Sequence, residues 1–81
     1  MKHTLTDSEC REIAEASIWE FMTGLDAMWA HEAHISGTID AKSLAAVNDV
    51  WERAIEEHGM IRARIYLEWE RRDRDETLRT R

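Results

Sequence analysis

Residues 61–72, IRARIYLEWERR, fit two different periods, and the choice between them decides the architecture of the chain. At a spacing of two residues, apolar and polar side chains alternate as in a half-buried strand. At a spacing of four residues, Ile61, Ile65 and Trp69 lie on one stripe of a helix. The first period predicts a mixed fold, and the second predicts an all-helical one.

The residues before this stretch favour the helix. From Ala41 onward, apolar side chains recur at three-four spacing, and the spacing keeps its phase through Gly59. A helix that ended at the glycine would have no reason to keep that phase. A strand would also need a partner, which only residues 2–5 could supply within the chain. We predict a continuous or kinked helix, with a strand at 61–69 as the alternative.

Capping signals mark where the helices begin and end. Thr6 followed by Glu9 three residues later is a capping box. Gly37 is the natural left-handed residue after the first helix, and Asp40 is a natural N-cap for the second. These signals predict two helical arms, at 7–35 and from 41 to about 72, joined by a short loop.

Two such arms form an antiparallel helical hairpin, so the predicted fold is all-α and residues 1–81 form a single small domain. On the second arm, a further apolar stripe lies opposite the one that faces the first arm. It consists of Met60, Ala63 and Leu67. Because a two-helix hairpin is too thin to bury both stripes, we expect a homodimer that forms a helical bundle, with this stripe at the dimer interface.

The first arm carries an apolar arc that spans about 140° and that we expect to form its core face. The arc comprises Cys10, Ala14, Ser17, Ile18, Phe21, Leu25, Met28, Trp29 and Ile35. Trp19 lies about 120° from the middle of this arc, by helical phase. Around it, on the solvent-directed side, lie the carboxylates of Glu12, Glu15 and Asp26. An aromatic anchor with a charged rim is typical of a protein-interaction hot spot, and packing of Trp19 within its own chain or dimer is the alternative.

The acidic charge is concentrated in the first part of the chain. Residues 1–59 contain 12 Asp and Glu against 4 Lys and Arg, whereas residues 60–81 contain 7 Arg against 5 acids. Binding to nucleic acid requires a basic surface, so we do not expect direct binding by this chain. The Arg-rich end is interpreted as a solvated helix face with alternating charge.

No pattern predicts catalysis or a metal site. His31 and His34 are three residues apart, whereas the HExxH zinc motif places its histidines four apart, and His58 falls at the far end of the second arm. We expect His58 to be a hydrogen-bonded interior or interface residue. The single cysteine, Cys10, is expected in the core. The prediction is a protein without enzymatic activity, catalytic residues, metal or cofactor.

The expected function is that of a small acidic protein-interaction module that binds a basic surface of another protein stoichiometrically through Glu12, Glu15, Trp19 and Asp26. Phage-type anti-restriction and anti-CRISPR proteins inhibit nucleic-acid-binding machinery in this way, but the analogy rests on size and charge, and no motif links the chain to a family. A homodimeric DNA-binding regulator that uses the Arg-rich end is the alternative. The sequence has no signal peptide and no apolar run of about 20 residues, which predicts a cytoplasmic location.

Overall fold

The computed structural model describes residues 4–79 and contains two α-helices. Helix α1 spans Asp7–Ile35 and helix α2 spans Ala41–Arg79. The two pack side by side as an antiparallel hairpin with extents of 66 × 16 × 14 Å. The predicted all-α hairpin is confirmed, and the described residues contain no strand.

The start of α1 has the capping box that the sequence predicts. The backbone N–H of Glu9 donates to the Thr6 hydroxyl at 3.1 Å, and the backbone N–H of Thr6 donates to the Glu9 carboxylate at 2.9 Å. Two N–H groups that the helix itself leaves without partners are therefore bonded.

The turn between the helices also follows the local signals. Gly37 has a φ of 81°, the left-handed conformation that suits glycine after a helix. The side chain of Asp40 accepts a hydrogen bond of 2.7 Å from the backbone N–H of Ser43 and so caps α2. The connection reverses the chain within residues 36–40 and brings α2 back along α1.

Helix α2 runs through Gly59 without interruption, so the strand alternative for residues 61–69 is wrong. The helix also continues to Arg79, past the expected end near residue 72. In this last part the Arg71 side chain forms ion pairs with Glu68 and Asp75 on neighbouring turns of the same helix. Pairs at this spacing stabilise an exposed helix, which explains the additional turns.

Helix α2 contacts α1 through the apolar arc formed by the residues that recur at three-four spacing from Ala41 onward. Ala54 and Ile65 are buried, and further members of the same arc are half-buried: Leu44, Val47, His58, Ile61 and Trp69. The apolar residues before and after Gly59 therefore lie on the same contact face of α2.

Helix α1 contacts α2 through a different face from the one expected. The residues of α1 that the contact buries are Ile13, Thr23, Ala27 and Ala30. The apolar arc of α1 is largely exposed instead, and Cys10 at its start is exposed as well. The prediction that this arc forms the core face was wrong. The face that meets α2 consists mostly of small side chains, which pack well against a neighbouring helix.

Gly24 shows how closely the helices pack. A Cβ atom at this position would lie 3.1 Å from Nε1 of Trp51 on α2. The indole therefore lies against the backbone of α1 where α1 has no side chain.

Neither helix in the described part of the chain combines the length and the apolar character needed to cross a membrane.

The two helical glycines give a matched test of this packing. We expect Gly59→Ala to raise the free energy of unfolding by ~0.5–1 kcal/mol, since alanine favours the helix and a Cβ there meets nothing within 4 Å. Gly24→Ala should gain less or lose stability, because Trp51 must shift. Urea unfolding followed by circular dichroism measures both. Equal gains at the two positions would contradict the packing of Trp51 on Gly24.

Candidate functional site

A groove runs between the helices on one flank of the hairpin and has a volume of about 340 Å³. We call it the Trp19 groove. Its lining residues come from both helices: Glu12, Glu15, Ala16 and Trp19 of α1, and Ala54, Glu57, His58 and Ile61 of α2.

Trp19 is the largest side chain of the groove and is 50% exposed. The other apolar residues that line the groove are Ala16, Ala54 and Ile61, and half of the Trp19 surface is in water. A large aromatic side chain that is half in water and half in a groove is available to a partner without any rearrangement of the fold.

Three carboxylates line the same groove as this indole. Glu12, Glu15 and Glu57 all line the Trp19 groove, and of these only Glu12 has a described ion pair, with Arg64 at the edge. The groove therefore has a negative electrostatic character.

Three of the four predicted partner-binding residues, Glu12, Glu15 and Trp19, lie together in this groove. Asp26 is exposed on α1 but does not line it. Sequence analysis missed the contribution of α2, above all Glu57. Its position beside the apolar arc of α2, combined with an antiparallel pairing of the arms, was the signal that could have found it.

The Trp19 groove continues into a second depression of about 490 Å³. Glu12, Glu57 and Ile61 line both. The second depression adds a mixed set of charges and one apolar side chain: Arg53, Glu56, Met60 and Arg64. Of the predicted dimer stripe, Met60 therefore lies at the edge of this surface. Ala63 and Leu67 are exposed and line neither depression, and the stripe remains a prediction.

His58 is the centre of a polar cluster that links the helices. Its Nε2 atom lies 3.1 Å from the Ser17 hydroxyl and accepts a hydrogen bond of 2.7 Å from Nε of Arg62. Its Nδ1 atom lies 3.3 Å from the carboxylate of Glu20. Because Nε2 accepts from Arg62, the proton of the neutral ring is on Nδ1, directed at Glu20.

This order of serine, histidine and carboxylate resembles a hydrolase triad, but its surroundings do not suit catalysis. Arg62 donates to the Nε2 atom that would have to take the proton of Ser17. Ser17 also lies inside α1, where the backbone N–H groups bond within the helix and cannot form an oxyanion hole. We interpret the cluster as a half-buried polar contact that fixes the pairing of the helices, in line with the hydrogen-bonded role expected for His58.

The other histidines lie near the turn. Nδ1 of His34 is 3.2 Å from the carbonyl oxygen of Ile39, a contact that holds the connection against α1. His31 is exposed. Within residues 4–79, no group of three or more His, Cys, Asp or Glu side chains is placed to hold a metal ion.

Two ion pairs join the Arg-rich part of α2 to α1. Arg72 donates to both carboxylate oxygens of Glu9, at 2.9 and 3.1 Å, and Arg64 donates to Glu12. The hydrogen bond from the Thr6 backbone N–H, followed by that from Arg72, holds the pKa of Glu9 below its usual value. The N-terminus of α1 is thus tied to α2 through an ionised carboxylate.

The chain matches no protein family, curated protein or solved structure with which it was compared.

The Glu9 contact predicts a pH dependence of stability. A carboxylate whose pKa is lower in the folded state stabilises the fold above its ordinary value of 4.5, and this contribution disappears as the pH falls through the lowered pKa. Glu9→Gln should therefore destabilise the protein at neutral pH and have less effect in acid. Urea unfolding at a series of pH values measures this difference.

Glu68→Gln is the matched control. The pKa of Glu68 is also lowered, chiefly by its hydrogen bond with Arg71, but that partner lies on the same helix. We expect a smaller change for Glu68→Gln, because no contact between helices is lost. Equal losses for the two variants would show that the contact between Glu9 and Arg72 does not stabilise the hairpin.

Proposed function

We propose that this protein acts by stoichiometric binding to another protein and that the Trp19 groove is its docking surface. One observation carries the proposal: a half-exposed tryptophan lies in a preformed groove lined by three glutamates. Such a groove offers an apolar anchor and a charged rim in one place.

The charge of the groove defines the class of partner. Glu15 and Glu57 have no described ion pair that would neutralise them, so the complementary surface carries lysine or arginine side chains. Long-range attraction between such surfaces increases the association rate, whereas burial of Trp19 would determine the lifetime of the complex.

A basic protein surface commonly serves to hold nucleic acid. We therefore propose an inhibitory mode of action, in which this acidic protein occupies a phosphate-binding surface of nucleic-acid-binding machinery. Anti-restriction and anti-CRISPR proteins of phages are the analogy for this mode, on the basis of size and charge.

The alternative is a DNA-binding regulator that uses the Arg-rich end of α2. The ion pairs of this segment argue against it. Arg64 and Arg72 are bound to glutamates of α1, and Arg71 is bound to Glu68 and Asp75. Phosphate contacts by these guanidinium groups would have to break those pairs. Direct binding to duplex DNA at physiological salt, measured by gel shift, would favour the regulator instead.

Replacement of the anchor tests the docking surface. We expect Trp19→Ala to abolish or strongly weaken capture of the partner, by roughly thirtyfold or more, while the protein remains folded. The measurement is affinity capture from the native host followed by titration with the captured protein, with circular dichroism as the folding check.

Tyr66→Ala is a suitable control for Trp19→Ala. Tyr66 is 46% exposed, similar to Trp19, and lies outside the groove. Its replacement should leave capture unchanged. If Trp19→Ala instead melts the hairpin, the tryptophan belongs to the core and the proposal loses its anchor.

A second test concerns the carboxylates. We expect the double substitution of Glu12→Gln and Glu15→Gln to slow association, with an effect that fades as salt is added. Glu52→Gln with Glu70→Gln removes the same charge from exposed positions outside the groove. If both double variants slow association equally, net charge rather than the groove governs binding.

A further inference from the structure

The apolar arc of α1 forms a broad exposed face on the side turned away from the small-residue contact with α2. Five of its large side chains are more than half exposed, and so is Met22 at its edge: Ile18, Phe21, Met28, Trp29 and Ile35 are the five. Leu25 lies among them and is half-buried. We call this surface the α1 apolar face. No Asp, Glu, Lys or Arg lies on it between residues 14 and 29.

The spacing along this face is that of a helix-pairing seam. Steps of four and three residues alternate through Ala14, Ile18, Phe21, Leu25, Met28, Glu32 and Ile35. A mean period of 3.5 residues over three heptads keeps one stripe directed at a neighbouring helix, as in coiled coils. The face is thus suited to another long helix rather than to a loop or a small molecule.

The hairpin alone has too little core to leave this face uncovered. Of the described residues, only Ile65 has a large, fully buried side chain. A small hydrophobic core supplies little stability, and oligomerisation is one way in which small proteins add to it. A molecule that stabilises the fold by burying this face must be present whenever the chain is folded. A second copy of the chain meets that condition.

We propose that the α1 apolar face packs against the same face of a second copy. Each large side chain leaves on the order of 100 Å² in water. Together they approach the ~800 Å² per partner that a stable interface needs. The contact is isologous, so one patch covers another of the same composition.

One side chain of α2 extends the edge of this face. Trp51 lies against Gly24 and lines a depression of about 370 Å³ together with Met28 and Glu32. This depression shares no residue with the Trp19 groove. The dimer contact and the docking surface therefore occupy separate parts of the hairpin, and a dimer presents two open Trp19 grooves.

The charges at the ends of the seam select the orientation. The seam is symmetric about Thr23, so an antiparallel pairing places Glu32 opposite Ala14 of the second copy, one turn from its Arg11. A parallel pairing in register would place the two copies of Glu32 against each other. Because like charges at a seam repel, the two α1 helices run antiparallel.

This surface differs from the Met60, Ala63 and Leu67 stripe of α2. That stripe has three residues and is flanked by Arg64 and other charged side chains. Phe21 and Leu67 are 67% and 66% exposed, so the same substitution at each compares the two surfaces at matched exposure.

Sedimentation at micromolar concentrations is the first test. We expect wild type and Leu67→Glu to be dimers, Phe21→Leu to remain a dimer, and Phe21→Glu to be a monomer or to lose helicity. Loss of the dimer in Leu67→Glu but not in Phe21→Glu would overturn the proposal. A wild-type monomer with a cooperative melt would overturn it as well.

A charge exchange tests the seam without depending on the folding of Phe21→Glu. Arg11 and Glu32 lie about 30 Å apart within one α1, so coupling between them reports contact between copies. We expect Arg11→Glu and Glu32→Arg each to raise the dimer dissociation constant by roughly fivefold, from two surface ion pairs per dimer. The double variant should restore the dissociation constant of the wild type. Additive weakening in the double variant would overturn the antiparallel pairing.

Discussion

The hairpin is held together by the contact between a face of α1 that is rich in small residues and the larger side chains of α2. At Gly24 the indole of Trp51 packs against the backbone of α1, and Ala27 and Ala30 are buried in the same half of the hairpin. Ile65 is buried in the other half, next to the Arg64 that pairs with Glu12. Close packing gains dispersion contacts along the whole hairpin, which offsets the small area that each alanine removes from water. Because this face of α1 meets α2, the bulkier apolar residues of α1 are directed towards solvent.

The sequence predicted those parts of the fold that local interactions determine. The capping box at Thr6, the turn at Gly37 and the unbroken phase of α2 through Gly59 each depend on residues a few positions apart. The contact face of α1 could not be predicted in this way. The side of α1 that meets α2 carries small apolar side chains together with glutamates. Whether this side or the more apolar arc makes the contact depends on the fit to the side chains of α2, a property of the pair of helices.

Local spacing also predicted only part of the candidate site. Glu15 and Trp19 are one turn apart on α1, so helical phase alone placed them together, with Glu12 beside them. Glu57, His58 and Ile61 reach the groove from α2, and their placement depends on the register of the hairpin. That register is fixed by contacts distant in sequence, such as Glu9 with Arg72 and Ser17 with His58, which no spacing rule reveals.

These contacts between helices also determine which charges remain on the surface. Arg64 and Arg72 neutralise Glu12 and Glu9, which removes much of the positive potential from the end of α2. Glu15 and Glu57 stay beside Trp19 without such a described pair. If the hairpins pair through α1, two such grooves belong to one particle. A partner with two basic sites at a matching separation would then be held more tightly than either groove could hold it alone, because the second contact becomes intramolecular.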